Sequence, residues 1–171
     1  MAPAGTDTRP TSDRLRETLF NVVAPSVPGS VWLDLFAGTG AIGIEALSRG
    51  AAMAYFVESN RRAARAVREN LETLGIEEGF EVLEREVMTA LRTLDAEGIT
   101  CDFCFLDPPY RKMGDYEQTL DFLSQSRLLK PGSLVIAEHD KHFDPGDSFG
   151  ALHRKRKLRQ GDAVLSFYGR D

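Results

Sequence analysis

The chain has 171 residues, 42% of them hydrophobic and 27% charged, with a formal net charge of −5. That length and balance suit one globular domain with a sizeable core and exclude a low-complexity chain. No apolar run approaches the roughly 18 residues a membrane span needs, and the N-terminal "MAPAGTDTRPTSD" lacks an apolar signal core, so a cytoplasmic protein is expected.

In chain order, "TSDRLRETLFNVV" opens with a Thr/Ser cap and places Leu15, Leu19, Val22 and Val23 on one helical face, with Pro25 and Pro28 ending it. "VWLDLF" (31–36) reads as the first strand, and "AIGIEALSRG" as the helix after it, closed by Gly50. "MAYFV" (53–57) is the second strand, followed by the helix "NRRAARAVRENLETLG" with its stop at Gly75. "FEVLE" (80–84) leads into a helix around "MTALRTL", and "DFCFL" (102–106) into one around "DYEQTLDFLSQ". "SLVIAE" (133–138) follows the turn "KPG" as the fifth strand. Past a polar loop rich in Asp, Pro and Gly, "LHRKRKLR" and "AVLSFYGR" flank "QGD" as a hairpin. This alternation predicts an α/β fold, Rossmann-like, whose mostly parallel seven-stranded sheet ends in a C-terminal antiparallel hairpin. One domain is expected over residues 1–171, with 1–11 as a short arm.

Charge is unevenly spread. Residues 151–171 carry six Lys/Arg (Arg154, Lys155, Arg156, Lys157, Arg159, Arg170) against Asp162 and Asp171, so this tail is +4 and the rest −9. Such a stripe can be a phosphate footprint or simply a solvated edge strand protected by its charges. Cys101 and Cys104 form a Cys-x-x-Cys, but inside a strand, where positions three apart point to opposite faces and no helix N-terminus activates a thiol. Buried structural thiols in a reducing compartment are expected. His139, His142 and His153 have no ligand spacing, so no metal is expected.

Gly38, Gly40 and Gly43 match the dinucleotide pattern G-x-G-x-x-G, and Glu58 lies 20 residues after Gly38 at the end of the second strand. The glycines let backbone approach a ligand, and a carboxylate at that strand end can accept from ribose hydroxyls. A nicotinamide and an S-adenosylmethionine reading both fit so far. Asp34, in the middle of "VWLDLF", favours the second: a buried acid repels a pyrophosphate but suits a cationic amino group and sulfonium.

"FLDPPYR" (105–111) ends the fourth strand at the edge where the glycine loop must also lie. Pro108 and Pro109 each fix φ near about −65°, giving Asp107 and the Pro108 carbonyl set directions. An exocyclic base amine is a poor nucleophile because its lone pair is delocalised. Two acceptors for its protons stabilise the charge that grows as it attacks a methyl group, and Asp107 can receive the released proton. Tyr110 offers a flat face to a splayed-out base. The alternative is a rigid turn whose Asp caps the next helix.

The tetrad Asp-Pro-Pro-Tyr after such a glycine loop is similar to the amino-group methyltransferases of nucleic acids. "TRPTSDRLRETLFNVV" and "WLDLFAGTGAIGIEALSRGA", continued by "FVESNRRAARAVRENLETLG", "FLDPPYRK" and "GDAVLSFYGR", resemble the bacterial 16S rRNA guanine-N2 methyltransferases over nearly the whole chain from Thr8. The resemblance implies a class I methyltransferase, S-adenosylmethionine as cofactor, and a guanine at rRNA position 966 of the small ribosomal subunit as target; a monomer is expected. It implies that Asp34, Phe36, Gly38, Gly40 and Glu58 hold the cofactor together with Asp107, and that Val87 offers backbone to the adenine. By the same resemblance Asp107, Pro108 and Tyr110 hold the guanine, and Arg9 and Thr11 close over the cofactor or touch RNA. Arg111, Lys112, Arg154 and Arg156 are the further candidates for RNA contacts. In one respect the chain departs from the pattern: family members begin with a basic, glycine-containing strand pair, and here eight residues precede Arg9. DNA adenine-N6 methylation poses the same chemical problem and stays open as an alternative. A nicotinamide oxidoreductase and a non-catalytic ribosome-assembly binder are further ones.

Overall fold

The computed structural model describes residues 10–110 and 112–170, with side chains from residue 13 onward. Among the described residues eight strands form one sheet in the order β3-β2-β1-β4-β5-β8-β7-β6. The strands are β1 Val31–Leu35, β2 Met53–Val57, β3 Phe80–Leu83, β4 Cys101–Leu106, β5 Leu129–Asp140, β6 Ser148–Phe149, β7 Leu152–Gln160 and β8 Ala163–Arg170. The first five pair in parallel. β8 pairs antiparallel with β5 and with β7.

The helices are α1 Pro10–Val23, α2 Ala41–Ser48, α3 Arg61–Thr73, α4 Val87–Ala96 and α5 Met113–Gln125. Parallel neighbours need a crossover on one face or the other, so both faces of β1–β5 are covered and those strands read as apolar runs. One core contains Leu33, Val57, Cys104 and Leu106 with Leu91 and Leu94 of α4 and Leu120 and Leu123 of α5. The opposite core contains Trp32, Phe56, Phe103, Phe105 and Ile136 with Leu15, Leu19 and Phe20 of α1 and Val67 of α3. Trp32 anchors α1: its ring lies 5.2 Å from Phe20 and 4.5 Å from Phe103, both stacked, and its Nε1–H donates to Ser30 Oγ at 2.9 Å.

Four details depart from the sequence reading. The helix begins at Pro10, one residue before the expected Thr/Ser start, as a first-turn proline allows because its missing N–H would have no helical acceptor. An eighth strand exists because Ser148–Phe149 pairs with the start of β7, a segment too short to announce itself by alternation. β5 begins at Leu129 rather than 133: the register jumps from Cys101↔Leu129 to Phe103↔Leu134, and the extra residues, including Lys130-Pro131-Gly132, bulge out. That irregularity also places Cys101 and Cys104 in the same core, contrary to the simple alternation. Both thiols are free and buried; burial pushes Cys101 up to about 12 and Cys104 well above its usual value, so neither is a thiolate nucleophile.

Candidate active site

The strand order reverses between β1 and β4, the switch point at which open α/β sheets bind ligands beyond their carboxyl ends. Just past β1 the chain must turn sharply. Phe36 has φ +57°, the one positive-φ residue other than glycine among the described residues, and Gly38 and Gly40 follow at +61° and +82°. Strain of about 1–3 kcal/mol at a non-glycine residue persists only where its surroundings enforce it, and it clusters at functional sites. Here β2 enforces it. Ala37 N–H donates to the Val57 carbonyl at 2.9 Å, and Gly38 N–H to Glu58 Oε1 at 2.8 Å. Glu58 Oε2 accepts from Asn60 N–H at 2.9 Å, while Asn60 caps α3 by accepting from Ala63 N–H at 2.9 Å. A carboxylate has about four acceptor positions, so Glu58 keeps capacity for ligand hydroxyls while it pins the loop.

Gly43 serves packing rather than turning. A Cβ there would lie 2.8 Å from Cζ of the Phe56 ring and closer still to Cε1, so the third glycine lets α2 sit against the sheet. Its N–H donates to Asp34 Oδ2 at 3.0 Å. Asp34 is 2% exposed, and burial, reinforced by the charges of Asp107 and Glu58 and opposed by the Gly43 amide, pushes its pKa up to about 8. Three acids therefore converge on one strand edge, an arrangement that repels a pyrophosphate and invites a cation.

A cleft of about 170 Å³ opens on that edge, lined by Asp34, Phe36, Ala37 and Asp107 together with Leu15, Arg16 and Leu19 of α1, Phe105, Glu138 and Leu165. Past Asp107, Pro108 is buried, whereas Tyr110 is 81% exposed, its ring beneath the Lys112 ammonium at 5.8 Å. A ring so exposed is not a core aromatic, and its free face could stack on a flat ligand. Val87 begins α4; its side chain is in the core, so only its backbone, in the first turn where amides lack helical partners, is available to a ligand.

The basic residues expected to face RNA differ in their surroundings. Arg154 does not face outward: its side chain is 10% exposed, bonded to Asp144 (2.9 Å), Asp147 (2.5 Å) and Ser166 Oγ (3.1 Å). Those acids hold it as a clasp between β7 and the 144–147 turn. Arg156 is exposed and makes no ion pair among the described residues. Arg9, Arg111 and the side chain of Thr11 lie outside the described residues. Sequence reasoning missed Arg16, which bridges Asp13 (3.5 Å) and Glu45 (3.8 Å) at the cleft, and Glu138. The signal for Glu138 was present: an acid at the carboxyl end of the fifth strand, as for Glu58 and Asp107.

Comparison with known proteins agrees with this geometry. A family model described as conserved hypothetical protein 95 matches residues 1–169. "Putative rRNA methyltransferase YlbH" of Bacillus subtilis is 35% identical over 167 residues, 98% of this chain and 90% of that one. "Ribosomal RNA small subunit methyltransferase D" of Escherichia coli is 39% identical over 132 residues, 77% of this chain and 64% of its own length. The solved structure of "Putative methyltransferase yhhF from Escherichia coli" superposes with a TM-score of 0.83 at 32% identity, covering 100% of this chain and 90% of that chain. A match across almost the whole length places the chain in the conserved hypothetical protein 95 family, with the ribosomal RNA small subunit methyltransferases D among its relatives.

Proposed function

We propose that this protein transfers a methyl group from S-adenosylmethionine to the exocyclic N2 amine of a guanine in 16S rRNA of the small ribosomal subunit, as the family resemblance suggests for position 966. The observation that carries the reading is the buried Asp34, which accepts from one backbone amide and, raised to about 8 by burial, would ionise at neutral pH only against a cation, at the switch point beside Asp107. The fit to the cofactor rests on this donor set: Glu58 and the glycine loop for its ribose, Asp34 and Phe36 for its methionine end, the first turn of α4 at Val87 for its adenine. When bound, S-adenosylmethionine supplies an electrophilic methyl carbon on a sulfonium.

The chain's own residues do the rest. Asp107 and the Pro108 carbonyl accept the two amine protons, which draws the nitrogen toward a pyramidal shape and stabilises the positive charge as the N–C bond forms. Asp107 then takes the proton that the methylated amine releases. Tyr110 stacks on the base, and the apolar wall of Leu15, Leu19 and Leu165 excludes water.

Labelled cofactor incubated with small subunits lacking the modification is expected to label 16S rRNA. Asp107→Ala is expected to lower kcat by about 10²-fold or more while leaving cofactor affinity within a few-fold, since it removes interactions made in the transition state. Labelling of adenine in duplex DNA with none in the particle would replace this reading.

A further inference from the structure

We propose that Glu138 is the residue that selects guanine, by accepting the ring N1–H of the base while Asp107 and Pro108 hold its amine; this rests on the methyl-transfer reading above. Acids lie across the carboxyl edge in the order Glu58 after β2, Asp34 on β1, Asp107 after β4 and Glu138 on β5. The first two belong to the cofactor end and the third to the reacting amine. Glu138 lies farthest from β2, on the side left for the base.

Its direction follows from register. Asp34 pairs with Phe105, and Phe105 with Ile136, and the side chains of Phe105 and Ile136 point into the core beneath α1. Two residues further on, Asp107 and Glu138 project to that same side from neighbouring strands about 4.8 Å apart. Both line the cleft. The Glu138 backbone is fixed on one side by pairing with Leu165 and on the other by the Tyr116 hydroxyl, which donates to its carbonyl at 2.6 Å. Two carboxylates thus reach the same cleft from neighbouring positions on the sheet edge.

Nucleobase chemistry gives such a pair a use. Guanine alone flanks its exocyclic amine with a ring N–H, at N1. The amine of adenine is flanked by the N1 lone pair, and that of cytosine by the N3 lone pair. A second acceptor beside the amine-binding carboxylate gains a charge-assisted hydrogen bond from guanine and meets a repelling lone pair in the others. The Asp-Pro-Pro-Tyr tetrad serves any base amine; Glu138 supplies the discrimination it lacks.

The test uses small subunits reconstituted with 16S rRNA carrying either guanine or 2-aminopurine at the nucleotide the wild-type enzyme methylates. 2-Aminopurine keeps the amine but has a lone pair at N1. Wild type is expected to prefer guanine by about 10²-fold or more in kcat/KM. Glu138→Gln, whose amide can turn an N–H toward that lone pair, is expected to lose about 10–100-fold on guanine and shrink the preference below about tenfold. Cofactor affinity by calorimetry stays within twofold, and Glu138→Asp restores part of the preference. An unchanged preference in Glu138→Gln overturns the proposal, as does loss of cofactor affinity in step with activity, which would make Glu138 a cofactor ligand. If wild type labels no guanine in the particle, the methyl-transfer reading itself has failed and Glu138 falls with it.

Discussion

A carboxylate buried near the end of β1 keeps its proton far above the ordinary carboxylate range, because burial first, and then Asp107 and Glu58, lift the Asp34 pKa to about 8 from an ordinary 3.8. The consequence for stability runs opposite to the usual carboxylate. In the unfolded chain Asp34 ionises near 3.8, whereas the fold keeps it protonated to about 8, so the favourable contribution is complete below about pH 4 and is lost as pH rises toward 8. Asp34→Asn keeps an acceptor for the Gly43 amide and removes the charge. It is therefore expected to melt above wild type at pH 8, by several degrees, with the gap narrowing toward pH 5 in a calorimetric scan. The same variant should lose cofactor binding by about 10²-fold or more, since an amide carries no charge for an ammonium. Binding to wild type at pH 7 should release close to one proton, read from the heat in buffers of different ionisation enthalpy. Binding with no proton released would show that Asp34 does not meet the cation.

At the scale of elements, the junction of β1 and α2 does two jobs with three glycines, and they fail differently. Gly43→Ala would drive a methyl into the buried Phe56 ring, 2.8 Å from its Cζ, and overpacking of this kind costs about 1–3 kcal/mol. The expected result is a lower melting temperature with cofactor affinity reduced, both partly restored by Phe56→Leu, which makes room. No rescue by the smaller side chain would mean that α2 moves rather than clashes. The glycine spacing, the acid in "VWLDLF" and the Asp-Pro-Pro-Tyr corner were legible because they are local patterns with local causes. What escaped depends on neighbours far off in sequence. The positive φ of Phe36 is held by β2; the shared core of Cys101 and Cys104 follows from a bulge across β4 and β5; Glu138 acquires meaning only beside Asp107. No window of one strand contains these facts.

Over the whole molecule, an acidic body carries a basic edge, and counting charges cannot say which of them are already used. The stripe on β7 looks uniform in sequence, yet Arg154 is consumed by Asp144 and Asp147, Lys157 lies 3.4 Å from Asp144, and Arg156 is exposed without an ion pair among the described residues. Arg154, by its hydrogen bond before any other favourable cause, holds the Asp144 carboxyl well below the usual carboxylate range. A lowered folded pKa contributes stability above the unfolded value near 3.8 and loses it as pH falls further. Arg154→Ala should accordingly destabilise the protein at neutral pH by about 1–3 kcal/mol, leaving Asp147 without its guanidinium partner and Asp144 with Lys157 and the Gly146 amide alone, and the difference should shrink on acidification. Arg156→Ala should do the reverse: unchanged melting, but weaker binding to the small subunit, with the slope of log affinity against log salt concentration reduced by about one, as expected when one fewer phosphate is neutralised. A free guanidinium gains from displacing counterions on RNA, whereas a paired one must first give up two carboxylates. If Arg154→Ala lowers that slope at unchanged melting temperature, the clasp opens on the ribosomal particle and its acids, not its arginine, are the residues that yield.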